Sequence, residues 1–185
     1  MKILFTGAQG TGKTTILNNI KGNPMLSGYE VVSSISRYIQ DKLGIDLKGG
    51  ENTNEDAQKI IFNAYQNKFI AHPNILSDRS LFDVCAYTYY RHIQKEISAI
   101  ELVRQYACIK QFEEYFPNDI IYFYFPIEFA PISDGVRSSD VNFQHKIDDL
   151  ICSCLEHSDI SRIYEVHGSI EERTEFVLQK IGNNL

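Results

Sequence analysis

Residues 1–15 read MKILFTGAQGTGKTT. The run Gly7-Ala8-Gln9-Gly10-Thr11-Gly12-Lys13-Thr14 fits G-x-x-x-x-G-K-[S/T], with an apolar segment before it and a helix-competent segment after it. In that context it is a phosphate loop joining a strand to a helix. Glycine lacks a Cβ, so the backbone N–H groups can turn inward onto phosphate oxygens. The N-terminus of the following helix adds its partial positive charge. The stretch thus predicts an ATP cradle built from Gly7, Gln9, Gly10, Thr11, Gly12, Lys13, Thr14 and Thr15. Lys13 would reach the β- and γ-phosphates, and the Thr14 hydroxyl would ligate Mg²⁺. The loop alone leaves open whether the γ-phosphoryl group goes to water or to another molecule.

Working outward, the 185 residues are expected to form one domain over 1–185. A net charge of -6 argues against a positive stripe for duplex nucleic acid and favours small-molecule work. The four cysteines and five histidines show no paired metal-ligand spacing. Scattered cysteines, no secretory leader and no apolar run of membrane-spanning length fit a reducing cytoplasm. Nothing in the sequence sets the oligomeric state.

Short apolar runs alternate with helix-period segments, the pattern of strand-helix-strand units in a parallel sheet. Strands are expected at Lys2 to Thr6, Tyr29 to Ser33, Asn74 to Asp78, Asp119 to Phe125 and Ser161 to Val166. Helices are expected at Lys13 to Ile20, Ile35 to Leu43, Asn54 to Ala71, Leu81 to His92, Ile97 to Phe116, Asp140 to His157 and Ser169 to Ile181. The run DIIYFYF, nearly all apolar, is expected to mark the middle of the sheet. Gly44 to Asn54 has the composition of a surface loop, and Ser169-Ile-Glu-Glu172 that of a capping box.

A GTPase would carry Asp-x-x-Gly after its third strand and Asn-Lys-x-Asp for guanine, and the chain has neither in place. A mechanical ATPase needs more chain. Transfer to an acceptor remains, and the segment ILSDRS bears on it. Strand ends face the ligand crevice in open α/β sheets, so Asp78 should project beside the phosphate loop. A carboxylate there holds Mg²⁺ or accepts the proton of an attacking hydroxyl, while Arg79 neutralises phosphoryl charge. The same Asp-Arg pair also reads as a helix cap. Further on, PISDGVRSSD carries Arg137 on a segment rich in turn formers. That suits a lid that closes over the triphosphate and excludes water, and an ordinary solvated turn is the other reading.

GAQGTGKTT, VVSSISR, SDRSLFD and SDGVRSSD, in this order and spacing, resemble the P-loop kinase family that includes the ribosylnicotinamide kinase domain of NadR and the Ttd14-like proteins. The resemblance implies an α/β nucleoside or nucleotide kinase fold, with a central five-stranded parallel sheet flanked by helices and a lid. It implies ATP phosphates on Gly10, Gly12, Lys13 and Thr14, acceptor and metal chemistry near Asp78 and Arg79, and lid duty for Arg137. Relatives often carry a glutamate where this chain has Ser34, which moves the general-base assignment onto Asp78. Ser34, Arg37 and Asp83 are the candidate acceptor-side residues. The acceptor implied is a small molecule, ribosylnicotinamide or a deoxynucleoside monophosphate. Two other classes stay open: a nucleotide-binding regulator with a protein partner, and a kinase of nucleic-acid ends or modified bases.

Overall fold

The computed structural model describes residues 1–33, 35–44, 53–129 and 140–185. The chain runs through β1 (Lys2–Thr6), α1 (Lys13–Ile20), a 3₁₀ turn (Pro24–Leu26), β2 (Glu30–Val32), α2 (Ile35–Leu43), α3 (Glu55–Ala71) and β3 (Ile75–Ser77). It continues through α4 (Leu81–Ile93), α5 (Ala99–Tyr115), β4 (Ile120–Tyr124), α6 (Val141–Leu155), β5 (Ile163–Glu165) and α7 (Ile170–Gly182). The expected strands and helices are all present, most of them trimmed by a residue or two at their ends, as fraying and capping dictate.

The strands form one five-stranded sheet in the order β2-β3-β1-β4-β5, with every pairing parallel. β1 pairs with β4 over its whole length, Lys2 opposite Ile120 through Thr6 opposite Tyr124. The middle of the sheet is therefore β1, and the DIIYFYF strand, expected there, is its inner neighbour. Both strands are buried along their whole length, so composition does not rank them.

Side chains alternate across the sheet with period two. Leu4, Ile120, Tyr122 and Tyr124 enter the core beneath α3, α4, α5 and α6. Ile3, Phe5, Ile121 and Phe123 enter the core beneath α1 and α7. Each fully buried aliphatic or aromatic side chain of these strands contributes about 1.5–3 kcal/mol relative to exposure.

The helix starts differ in a way that matters for function. α3, α4, α5, α6 and α7 are capped by the side chains of Asn54, Ser80, Ser98, Asp140 and Ser169. Ser80 with Asp83, and Ser169 with Glu172, form complete capping boxes. α1 has no side-chain cap and no acidic residue in its first turn. Its free N–H groups and partial positive charge face the strand ends.

Candidate functional site

The phosphate loop leaves β1 and enters α1 through a backbone that only glycine adopts without strain. Gly7 has φ 142° and Gly12 φ 91°. A Cβ on Gly7 would run into the Phe125 carbonyl oxygen. Lys13 folds back over the loop: its ammonium donates to Gly7 O and Ala8 O, both at 2.6 Å, and to Thr11 Oγ1 at 3.1 Å. It is 5% exposed.

Side chains from three helices and one strand end reach the loop. Asp83 on α4 accepts from Gly7 N at 3.3 Å. Gln144 on α6 donates to Gln9 O at 2.7 Å. Arg173 on α7 donates to Thr11 O at 2.8 Å, to Gly168 O at 2.8 Å, and pairs with Glu128. From the end of β3, Asp78 accepts the Thr14 hydroxyl through Oδ2 at 2.7 Å. Asp78 Oδ1 is buried with no hydrogen bond among the described residues.

Asp78 is therefore not the helix cap, since Ser80 takes that role. Its carboxylate sits on the uncapped end of α1, paired with the hydroxyl expected to ligate Mg²⁺. A loop hydroxyl, one carboxylate with an oxygen to offer and the phosphates of a bound nucleotide make the oxygen donor set that Mg²⁺ accepts. No group of three or more His, Cys, Asp or Glu able to hold a metal by itself occurs among the described residues. The residues present thus fit Mg²⁺ carried in with a nucleotide.

Arg79 lies beside this carboxylate, its Nη1 at 3.4 Å from Asp83 Oδ1 and its guanidinium 5.9 Å from the Tyr87 ring centre. Burial pulls its pKa down, but Tyr87, Asp83, Tyr65 and Asp78 around it raise it above the ordinary arginine value. Tyr65, fully buried and hydrogen-bonded to Ser36, has its phenol pushed up by burial and then by Asp78. Tyr87 donates to Gln9 Oε1 at 3.1 Å and so ties α4 to the loop.

Asp83, expected on the acceptor side, is engaged by neighbouring protein groups. It is fully buried, its Oδ2 accepts Ser80 N and Oγ at 2.8 Å each, and its Oδ1 serves Gly7 N and Arg79. Both oxygens are committed to the capping box and the loop. Arg37 lies exposed on α2, and Thr15 is exposed on α1. Ser34, Arg137 and the lid segment lie outside the described residues, as does most of the Gly44 to Asn54 loop.

Arg173 and Gln144 were not read from the sequence as site residues. Arg173 had a signal: it shares the buried stripe of α7 with Val177 and Ile181, a cation where an apolar residue belongs. Gln144 sits on α6 among the buried Phe143, Ile147 and Ile151 in the same way.

A family model described as an AAA domain matches residues 2–173. The chain belongs to that family. The matched region of this AAA-domain chain runs from β1 to Arg173, and so includes the loop, Asp78 and the arginine that holds Thr11 O. Solved structures of deoxyadenosine kinase from M. mycoides share the fold. One, with products dCMP and a flexible dCDP bound, aligns with TM-score 0.68 at 17% identity over 99% of both chains. Another, with bound dATP, aligns with TM-score 0.64 at 14% identity over 98% of this chain and 99% of that one. A third, with bound dCTP, aligns with TM-score 0.60 at 16% identity over 99% of this chain and 100% of that one. No curated protein sequence matches significantly. The fold is thus that of P-loop nucleoside kinases. No helix among the described residues is long and apolar enough to cross a membrane.

Proposed function

We propose that the chain is a Mg²⁺-ATP-dependent kinase of the cytoplasm that transfers the γ-phosphoryl group to a hydroxyl of a nucleoside. The observation that carries this reading is the Thr14–Asp78 pair at 2.7 Å on the start of α1, which has no side-chain cap. An uncapped helix end beside a glycine loop suits a polyphosphate. A buried carboxylate with one oxygen still to bond, at a strand end beside that loop, suits phosphoryl transfer.

In this reading the amides from Gly10 to Thr15 bind the phosphates, and Lys13 leaves its loop carbonyls to follow the β- and γ-oxygens. Thr14 and Asp78 hold Mg²⁺, which when bound supplies charge neutralisation across those oxygens. Asp78 also orients the acceptor hydroxyl and takes up its proton as the oxygen attacks phosphorus. The bond from phosphorus to the bridging oxygen breaks, and ADP leaves with the bonding electrons. Arg79 balances the equatorial charge, and Arg137 completes the closed site.

The acceptor side supports an uncharged acceptor. Arg79 is flanked by Asp83 and Asp78, two carboxylates to one guanidinium. A second phosphate would meet net negative charge there unless Arg37 turned in to receive it. Deoxynucleosides, the substrates that the name of the structural relative carries, come first. Ribosylnicotinamide, also a nucleoside, comes next, and a deoxynucleoside monophosphate after that. The test is ATP consumption across a panel of nucleosides, nucleoside monophosphates and DNA ends. Acceptor-dependent turnover with a nucleoside is expected. ATP consumption indifferent to every acceptor would sink the kinase reading and leave a nucleotide-binding regulator.

A further inference from the structure

Phe129, downstream of β4, is 47% exposed beside the phosphate loop. A Cβ on Gly12 would lie 3.8 Å from its Cζ, so the ring stands next to the last loop glycine and the start of α1. The Arg173 guanidinium lies 5.2 Å from the ring centre, and the same side chain grips Thr11 O at 2.8 Å. Phe129 is therefore an accessible aromatic ring held against the loop by the residue that braces it.

In the reading above, the γ-phosphoryl end of the nucleotide lies by Thr14 and Asp78, at the end of β3. β3 and β4 flank β1 on opposite sides. A phosphate chain laid across the start of α1 thus carries its nucleoside end toward the β4 side, where Phe129 stands. The polar groups around the ring hold one another. Glu128 meets His167 Nδ1 at 2.7 Å, Gly168 N at 3.3 Å and the Arg173 guanidinium. His167 Nε2 meets Glu165 at 3.1 Å, and Arg173 donates to Gly168 O at 2.8 Å. We propose that Phe129 is the stacking platform for the nucleobase of the phosphoryl donor, and that it selects a planar base as such, not the donors and acceptors on its edge. The inference rests on the nucleotide-binding reading above. Stacking tolerates any base because each has a π-face. Discrimination between bases needs polar groups free to pair with an edge, and the described groups around this ring are engaged with each other. The chain thus takes its phosphoryl group from purine and pyrimidine nucleoside triphosphates alike.

The test is calorimetric binding of ATP, GTP, CTP and inorganic tripolyphosphate, with Mg²⁺ and without acceptor. The proteins are the wild type, Phe129→Leu and Phe129→Trp, each checked by thermal unfolding. The wild type should bind the three nucleotides within about fivefold of one another, and each on the order of tenfold or more tighter than tripolyphosphate, as stacking on one aromatic side chain supplies. Phe129→Leu keeps an apolar side chain and removes the π-face. Its affinity for all three nucleotides should fall about tenfold while that for tripolyphosphate stays, and Phe129→Trp should keep the wild-type pattern. Phe129→Met is read in the same way if Phe129→Leu does not fold. A loss shared by tripolyphosphate would mean that Phe129 acts on the loop through Arg173, and a preference of about a hundredfold for one base would mean that an edge is read. Either result overturns the inference alone, as do unchanged affinities in Phe129→Leu or wild-type nucleotides bound no tighter than tripolyphosphate. A folded wild type that binds neither nucleotide nor tripolyphosphate would overturn the functional reading and this inference with it.

Discussion

On the β4 side of the phosphate loop, side chains grip the backbone itself. Gln144 holds Gln9 O at 2.7 Å, Arg173 holds Thr11 O at 2.8 Å, and Glu128 anchors Arg173. On the β2 side, the described residues offer shorter and more exposed elements. β2 has three residues, and α2 presents Arg37 and Tyr38 to solvent, the latter 62% exposed. In the proposed kinase reading, the contrast follows from what each side would bind. A triphosphate has one geometry, so its cradle can be assembled in advance, and fixed dipoles need no reorganisation when it arrives. An acceptor brings its own shape, and surface residues that close around it hold less structure beforehand.

The sharpest break of that contrast is at the loop. Lys13→Ala should reduce transfer by a hundredfold or more, about 3 kcal/mol or greater, because the side chain serves ligand charge. Its hydrogen bonds to Gly7 O, Ala8 O and Thr11 Oγ1 lie within the loop, so thermal stability should change little. Initial rates alongside a melting curve separate the two effects. Wild-type turnover in the variant would remove the kinase reading.

Asp78→Asn keeps size and a hydrogen bond for Thr14 while deleting the charge. Transfer should fall by roughly two orders of magnitude with ATP affinity largely kept. Titrating Mg²⁺ against rate is the check, and an unaltered metal dependence would assign the carboxylate to structure alone.

Arg173→Met tests the dense side directly. It removes donors to Thr11 O and Gly168 O and takes the guanidinium away from Glu128. A loss of about 2–4 kcal/mol in stability is expected, as for other broken buried pairs. ATP should bind more weakly as the loop relaxes. Denaturant unfolding and nucleotide titration report the two, and a variant of native stability would show that Arg173 braces nothing.

The fold was legible because its signals are local. β1 and α1 follow from KILFT, a glycine turn and a helix-competent run, and their observed limits coincide with the expected ones. The candidate site is legible only where its signals are local too. Asp78 declares itself by lying at a strand end. The braces do not, since Gln144 and Arg173 meet the loop across 135 and 162 residues of sequence. Only a polar residue on a buried stripe hints at them. Asp83 is ambiguous in the sequence because a carboxylate after Arg79 reads equally well as ligand contact or capping-box partner, and its burial is a tertiary property.

On the open side the effects should be smaller. Arg37→Ala should raise KM for the acceptor a few-fold while leaving kcat and KM for ATP near wild type, the signature of binding contributed equally to ground and transition states. A change in KM for ATP alone would move Arg37 to the other half of the site.

The smallest effect concerns the outer end of the Arg173 brace. His167 sits between Glu128, 2.7 Å from Nδ1, and Glu165, 3.1 Å from Nε2. Those carboxylates, Glu128 foremost, raise its pKa above the ordinary histidine value. A raised folded-state pKa means that the charged imidazole stabilises fully below the unfolded value. That contribution fades as pH rises through the folded value. The ring is 56% exposed, so solvent and salt screen it and the gain is modest. His167→Gln should therefore melt slightly below wild type at pH of about 6 and alike at pH of about 9, either side of the histidine range. Added salt should narrow the difference at the lower pH. Because Glu128 binds both His167 and Arg173, the same titration should loosen the brace slightly and weaken ATP binding at high pH in the wild type but not in His167→Gln. A variant whose deficit is independent of pH would show that the histidine acts by packing and that the brace ends at Glu128.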